Sequence, residues 1–339
     1  MEKLRCAIIG CGRIGCGFDD IKRDTILTHA GSYFSNPKTK LVALCDIDST
    51  KLEKYGKKYD VTSLYTNSIE MLKNEKLDCL SICTLVDSHL QLVKEASNYN
   101  IKAIFLEKPI SSTLDDAKKI INICKEKNIV LIIDHKRRFD PFYHSLKKLI
   151  KDGKLGKIQL VNAYYGAGIS NTGSHVFDII RFLFGEVNSV SGTFSINKSI
   201  NPYDPNINVI LELNDFKCTL ESLDSKFYGL LEMDIFGTKG RLRFNLENYE
   251  IYYSKVSNAN IVVYNNLVDS KLQIRKSHKS NIQLGVQNLV DCLVLNKKPY
   301  CTGEDGYKSL ELIIASTLSA NKLKRITLPL KNSYKIYSK

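Results

Sequence analysis

The sequence predicts an α/β domain with a doubly wound parallel sheet, followed by an α+β domain built on an open, mostly antiparallel β-sheet. Three observations predict this. Between Leu4 and Ile133, short β-branched apolar runs alternate with amphipathic helical patterns. A glycine-rich turn stands directly after the first run, and beyond Lys157 strand-like runs follow one another with little helix between them. Continuous apolar strands separated by helices are covered on both faces, as in a parallel sheet, whereas successive short strands pair with their neighbours.

In the first half, strands are expected at Leu4 to Ile9, Leu41 to Asp46, Asp78 to Cys83, Ile101 to Leu106 and Ile129 to Ile133. Helices are expected at Asp87 to Tyr99 and Thr113 to Lys127, and another from Phe139 to Lys151 closes this part. In the second half, strands are expected at Ile158 to Tyr165, Val187 to Ile196, Asn208 to Leu213, Phe216 to Ser222, Gly229 to Phe236 and Arg241 to Asn245. Asn214-Asp215 reads as a tight hairpin turn. One helix, Gly173 to Phe184, interrupts the strands, and Ser280 to Leu295 and Gly303 to Leu323 end the pattern. The expected domains are 1–134 and 135–339, with the helix 303–323 returning to pack on the first.

Composition narrows the class. The 339 residues are 43% hydrophobic and 25% charged, with 19 Gly and 7 Pro, which excludes disorder, collagen and a disulfide-built miniprotein. No apolar stretch approaches the roughly 18 residues of a membrane-spanning helix, and the apolar run before the first glycines is too short for a secretory signal, so none is expected there. Ten cysteines form no CxxC pair, and several sit in strand-like runs, so the expected compartment is a reducing cytoplasm. Lys and Arg exceed Asp and Glu, 49 to 36. The lysines are dispersed and lack interleaved aromatics, so a solvated lysine-rich surface is expected, with an anionic small-molecule cofactor or substrate as a secondary contributor and no nucleic acid or membrane partner. The six histidines show neither HxxxH nor HExxH spacing, so no metal is expected, and no GxSxG elbow marks a serine hydrolase.

Gly10-Cys11-Gly12-Arg13-Ile14-Gly15 follows the first strand. The first glycine permits the turn, the second lets a pyrophosphate approach the backbone, and the third allows close helix packing. Gly10, Gly12, Arg13, Ile14 and Gly15 are therefore the expected dinucleotide cradle of a Rossmann domain. Asp46 ends the second strand, where its carboxylate would accept hydrogen bonds from the adenosine ribose and repel a 2′-phosphate, so NAD(H) is preferred to NADP(H). Capping of the next helix is the competing use of this aspartate. Thirty residues separate Gly15 from Asp46, against roughly 20 in the fingerprint. The polar stretch Cys16 to Thr28, ahead of a helix containing His29 to Phe34, reads as an insertion.

Glu107-Lys108-Pro109 closes the fourth expected strand, placing Lys108 at the edge where doubly wound sheets bind ligands. With this tripeptide the sequence resembles the Gfo/Idh/MocA oxidoreductases, typified by glucose-fructose oxidoreductase and inositol dehydrogenase. The likeness spans nearly the whole chain. It includes Cys83-Thr84 followed by His89, Arg138-Phe139 with Pro141, Gly153 with Leu155-Gly156, Gly173-Ser174-His175 with Asp178, and Gly237-Thr238-Lys239-Gly240.

The resemblance implies a nicotinamide cofactor and a homodimer or homotetramer joined through the second domain's sheet. It implies that Lys108 hydrogen-bonds the reacting oxygen and that His175 is the catalytic acid/base. Such a pair suits hydride transfer, because the hydroxyl proton needs a base near neutrality and the developing alkoxide needs a cation. Thr84, His89 and Glu107 join Lys108 as expected cofactor-site residues; Arg137, Tyr164 and Asn171 join Lys108 and His175 at the substrate. The family aspartate four residues before the histidine is Asn171 here, and the usual Thr-Pro is Thr84-Leu85. The expected activity is NAD(H)-dependent oxidation of a secondary hydroxyl, or reduction of the matching ketone, on a sugar, cyclitol or nucleotide-linked sugar. The alternatives are an NAD-dependent glycosidase with transient oxidation and a non-catalytic NAD-sensing regulator on the same fold.

Overall fold

The computed structural model describes residues 2–21, 25–257, 264–332 and 334–336. The chain forms two compact units, residues 1–140 with 277–308, and residues 141–276 with 309–339. This division differs from the single break expected at 134, because the segment around Ser280 to Leu295 belongs to the first unit.

The first unit holds a six-stranded sheet of β1 (Leu4–Ile9), β2 (Thr39–Cys45), β3 (Ser63–Tyr65), β4 (Cys79–Ile82), β5 (Ala103–Leu106) and β6 (Val130–Ile133). Their order is β3-β2-β1-β4-β5-β6 and every pairing is parallel. All four residues of β4 and of β5 are buried, as strands covered on both faces must be. Five helices connect the strands: α1 (His29–Ser35), α2 (Ser49–Tyr59), α3 (Ser68–Asn74), α4 (His89–Ala96) and α5 (Leu114–Glu126). Their starts follow ordinary capping chemistry. Asp48 accepts from Thr50 and Lys51 N–H, Asn67 from Glu70 N–H, and Thr113 from Asp116 N–H.

In the second unit, α6 (Pro141–Lys151) and α7 (Ser174–Phe184) accompany a nine-stranded sheet. Its strands are β7 (Ile158–Tyr165), β8 (Ser189–Phe194), β9 (Ile207–Glu212), β10 (Lys217–Ser222), β11 (Glu232–Gly237), β12 (Gly240–Asn245), β13 (Ile251–Ser257), β14 (Asn266–Asp269) and β15 (Ile326–Thr327). All pairings are antiparallel except β7 with β10. The expected hairpin stands at Asn214-Asp215, where Leu213 N–H donates to the Phe216 carbonyl.

Two more helices end the chain's helical part, α8 (Asn281–Leu295) and α9 (Gly303–Lys322). A Ser280/Gln283 capping box starts α8, which lies on the first unit's sheet at Gly285: a Cβ there would stand 2.7 Å from the Phe105 ring. That close approach explains the return of 277–308 to the first unit. The first six residues of α9, Gly303 to Lys308, belong to the first unit, where Gly303 lies against Ile121 and Leu131 and Gly306 against Ile133. Among the described residues, no helix is long and apolar enough to cross a membrane.

Candidate active site

The order of the parallel sheet reverses between β1 and β4, and the glycine turn opens there. Gly10 has φ +97°, and a Cβ on it would meet the Cys83 carbonyl at 2.7 Å. At Gly15 a Cβ would lie 2.0 Å from the Gly10 carbonyl oxygen, so no larger residue fits. By contrast, nothing lies within 4 Å of a Cβ built on Gly12, which leaves room where the fingerprint brings a pyrophosphate. Arg13 is exposed and Ile14 half-buried beyond it. The turn thus fits a dinucleotide.

The polar stretch after the turn is partly helical, Arg13–Gly17 and Phe18–Asp20, and α1 begins only at His29. Asp19 pins the stretch by accepting from Leu27 N–H at 2.6 Å and Thr28 Oγ1 at 2.6 Å. Asp20 is gripped by Lys54 and Lys58, both at 2.7 Å. Residues 22–24 of the expected insertion lie outside the described residues.

Asp46 follows β2 and is half-buried. Its Oδ2 accepts from Cys11 N–H at 2.6 Å and its Oδ1 from Asp48 N–H at 3.0 Å. Each carboxylate oxygen keeps a further lone pair for an outside donor. The competing use is removed, since the cap of α2 is Asp48.

Thr84 and His89 stand after β4. Thr84 Oγ1 pairs with Ser88 Oγ at 2.7 Å, and Leu85 beside it is 80% exposed. The His89 ring is buried, its nitrogens 3.2 Å from the Ile110 carbonyl and 3.3 Å from the Thr84 carbonyl. Burial pushes its pKa down, and a neutral ring donates to one of these carbonyls. His89 therefore fastens the Thr84 loop to the Pro109 loop, and its part in the cofactor site is indirect.

Glu107 and Lys108 leave β5 in opposite ways. Lys108 is half-buried, beside a cis peptide bond to Pro109. The Glu107 carboxyl turns inward, corrected from the expected cofactor contact: Oε1 lies 3.0 Å from His29 Nε2 and Oε2 accepts from Lys108 N–H at 3.3 Å. His29 is fully buried, and its Nδ1 meets Ser81 Oγ at 2.9 Å. Burial lowers its pKa to about 4, with Asp134 pulling the other way. Asp134, just past β6, completes this cluster. Neither His29 nor Asp134 was singled out in the sequence, because 78 residues separate His29 from Glu107 and no motif links them. Arg137, in the short helix Lys136–Phe139, is only 3% exposed. Its neighbour Arg138 pairs with Asp305 at 2.8 Å.

In the second unit, His175 occupies the first turn of α7 and is half-buried. Asn171 is exposed in the preceding turn, Ile169–Gly173. That turn is held by a residue the sequence reading missed, buried Asp204, which accepts from Ser170 N–H at 2.8 Å and Asn171 N–H at 2.9 Å. Asp178 is buried on the same helix. Tyr164 is corrected as a substrate contact. Side chains alternate along β7, and it is Tyr165 that faces this turn, 3.4 Å from a Cβ built on Gly173. Tyr164 points to the opposite face, opposite Glu221 and Glu232 on the neighbouring strands.

A doubly wound sheet with a glycine turn and a strand-end aspartate defines a dinucleotide-binding protein. The chain belongs to the Gfo/Idh/MocA oxidoreductase family: the family's NAD-binding Rossmann-fold model matches residues 4–135, and its C-terminal alpha/beta model matches residues 147–328. It is 26% identical to D-apiose dehydrogenase from Paraburkholderia graminis, over 93% of this chain and 88% of that protein. It is 25% identical to scyllo-inositol 2-dehydrogenase (NAD(+)) from Bacillus subtilis, over 98% of each. Its fold matches the WlbA dehydrogenase from Bordetella pertussis, solved with NADH and UDP-GlcNAcA, with a TM-score of 0.77 at 20% identity, over 97% of this chain and 100% of that one.

Proposed function

We propose that this protein is an NAD(H)-dependent dehydrogenase acting on a secondary hydroxyl, or the matching ketone, of a sugar, cyclitol or nucleotide-linked sugar. The observation that carries this reading is the set of residues at one end of the parallel sheet. An open glycine turn, a half-buried Asp46 with lone pairs to spare and a half-buried Lys108 follow β1, β2 and β5. The apiose and inositol dehydrogenases among the relatives support the substrate class.

The nicotinamide, when bound, accepts or donates the hydride. The protein supplies everything else. Asp46 accepts from the ribose hydroxyls and disfavours a 2′-phosphate, giving the preference for NAD(H) over NADP(H). Lys108 donates a hydrogen bond to the reacting oxygen and stabilises alkoxide charge as it develops. His175 takes the hydroxyl proton in oxidation and returns it in reduction. Asn171 offers a neutral amide where the family carries an aspartate, so it can bind a sugar hydroxyl and cannot hold a proton for His175.

We also assign a homodimer or homotetramer, supported by the apolar Leu160, Phe194 and Ile210 exposed on strands of the nine-stranded sheet, and a reducing compartment, supported by ten buried free thiols. The test is titration with NADH and NADPH by nicotinamide fluorescence, followed by absorbance assays with polyols, aldoses and nucleotide sugars. Tighter binding of NADH and turnover of at least one compound is the expected result; binding with no turnover contradicts the enzymatic reading.

A further inference from the structure

The buried cluster beneath Lys108 is not used by the chemistry above. His29, Glu107 and Asp134 each bring one polar atom within 4.8 Å of the others, and their residues are 0%, 8% and 3% exposed. They come from three places in the fold: the start of α1 and the carboxyl ends of β5 and β6. His29 Nε2 lies 3.0 Å from Glu107 Oε1 and 3.9 Å from Asp134 Oδ2, so the two carboxyls meet at one buried nitrogen. Two ionised carboxylates this close and shut off from water repel each other and lose their hydration, so the pair favours holding a proton. Asp134 Oδ1 is buried with no hydrogen-bond partner among the described residues, which further penalises a charge on that group.

We propose that Glu107 and Asp134, braced by His29, share one proton at neutral pH and act as the positioning unit for Lys108, presenting one negative charge beneath its segment instead of two. The assignment of Lys108 rests on the proposed function; the proton count does not. The mechanical link is short. Glu107 Oε2 accepts the Lys108 N–H, while Oε1 meets His29, whose other nitrogen meets Ser81, itself donating to Tyr33 at 2.9 Å. The electrostatic surroundings agree. Lys108 and Lys136 favour the ionised form of Glu107, yet burial outweighs them and pushes its pKa up. Burial first, then the neighbouring Glu107, pushes Asp134 up as well, against His29 and Lys136. From the end of β4, the Cys83 thiol also faces the pair and is itself raised by burial, so it stays neutral. The side of α8 that packs here does so through Gly285 against Phe105 and Phe139.

Two readouts on the full chain test this. In infrared spectra near neutral pH, the wild type should show a protonated carboxylic acid band that both Glu107→Gln and Asp134→Asn remove, since each variant leaves a lone carboxylate carrying the single charge. Competitive acetylation across a pH series, read by peptide mass spectrometry, gives the titration of Lys108. That titration should stay in place in each single variant and fall by about one unit or more in the double variant, where the charge is gone. A merely structural pair would not produce this pattern. Absence of the band in the wild type, its persistence in either single variant, a shift in the singles as large as in the double, or no shift in the double overturns the proposal. The wild-type spectrum remains decisive where a variant fails to fold. A protein that turns over no polyol would defeat the proposed function and leave both readouts standing.

Discussion

Two sets of carboxyl groups stand at the same edge of the parallel sheet and do different work. Asp46, after β2, is half-buried and held by two main-chain N–H groups, from Cys11 and Asp48. Glu107 and Asp134, after β5 and β6, are buried and face each other and His29. Main-chain donors hold a carboxylate in place and leave it able to accept from a ligand; a second buried carboxyl beside it favours a shared proton instead. Position at a strand end therefore does not assign a carboxyl's role. Its nearest donors do.

The largest effect is expected at the two residues proposed to carry the proton and the developing charge. Lys108→Ala and His175→Ala should each retain NADH affinity while turnover falls by roughly 10²–10⁴-fold, measured by steady-state kinetics and fluorescence titration. Near-normal rates in either variant reject its role. Next comes the turn that Asp46 braces. Gly15→Ala forces a Cβ against the Gly10 carbonyl, so it should lower stability by about 1–3 kcal/mol and abolish measurable NADH binding. A variant that melts and binds like the wild type would contradict the geometry.

The braced pair makes a prediction on the acid side. His29 falls from an ordinary 6.5 to about 4 in the folded protein, so the unfolded chain takes up a proton that the folded one refuses. Its contribution is present above 6.5 and is withdrawn as pH falls towards 4, by up to roughly 3 kcal/mol. His29→Gln lacks this loss, so the stability difference between wild type and variant, from urea denaturation at several pH values, should narrow on acidification. A constant difference would mean that His29 is not buried neutral. The smallest effect belongs to the outward aspartate: Asp46→Asn should weaken NADH binding by about tenfold and narrow the preference over NADPH. An unchanged ratio of the two affinities would remove Asp46 from cofactor selection.

Much of this was legible because it is local. The β-branched runs announced β1, β2, β4, β5 and β6, and the glycine spacing announced the turn between β1 and α1. Three residues, Ser63 to Tyr65, are too short a run to announce β3, and α2, lysine-rich on its outer face, gives a weak apolar stripe. Along β7 the alternation was legible, but which face meets the His175 turn was not, and Tyr165 rather than Tyr164 occupies it. What escaped altogether is long-range. His29 with Glu107, Asp204 with the Asn171 turn, and α8 with Phe105 are contacts between residues that no local pattern connects.

The most direct measurement is a crystal structure of the protein soaked with NADH. The account predicts the pyrophosphate on the Gly10 to Gly15 turn, the adenosine ribose hydroxyls on Asp46, the nicotinamide ribose within hydrogen-bonding reach of Lys108, and Glu107 and Asp134 off the nucleotide. A dinucleotide bound away from the turn, or one whose ribose hydroxyls ignore Asp46 while Glu107 reaches the nicotinamide end, would contradict it.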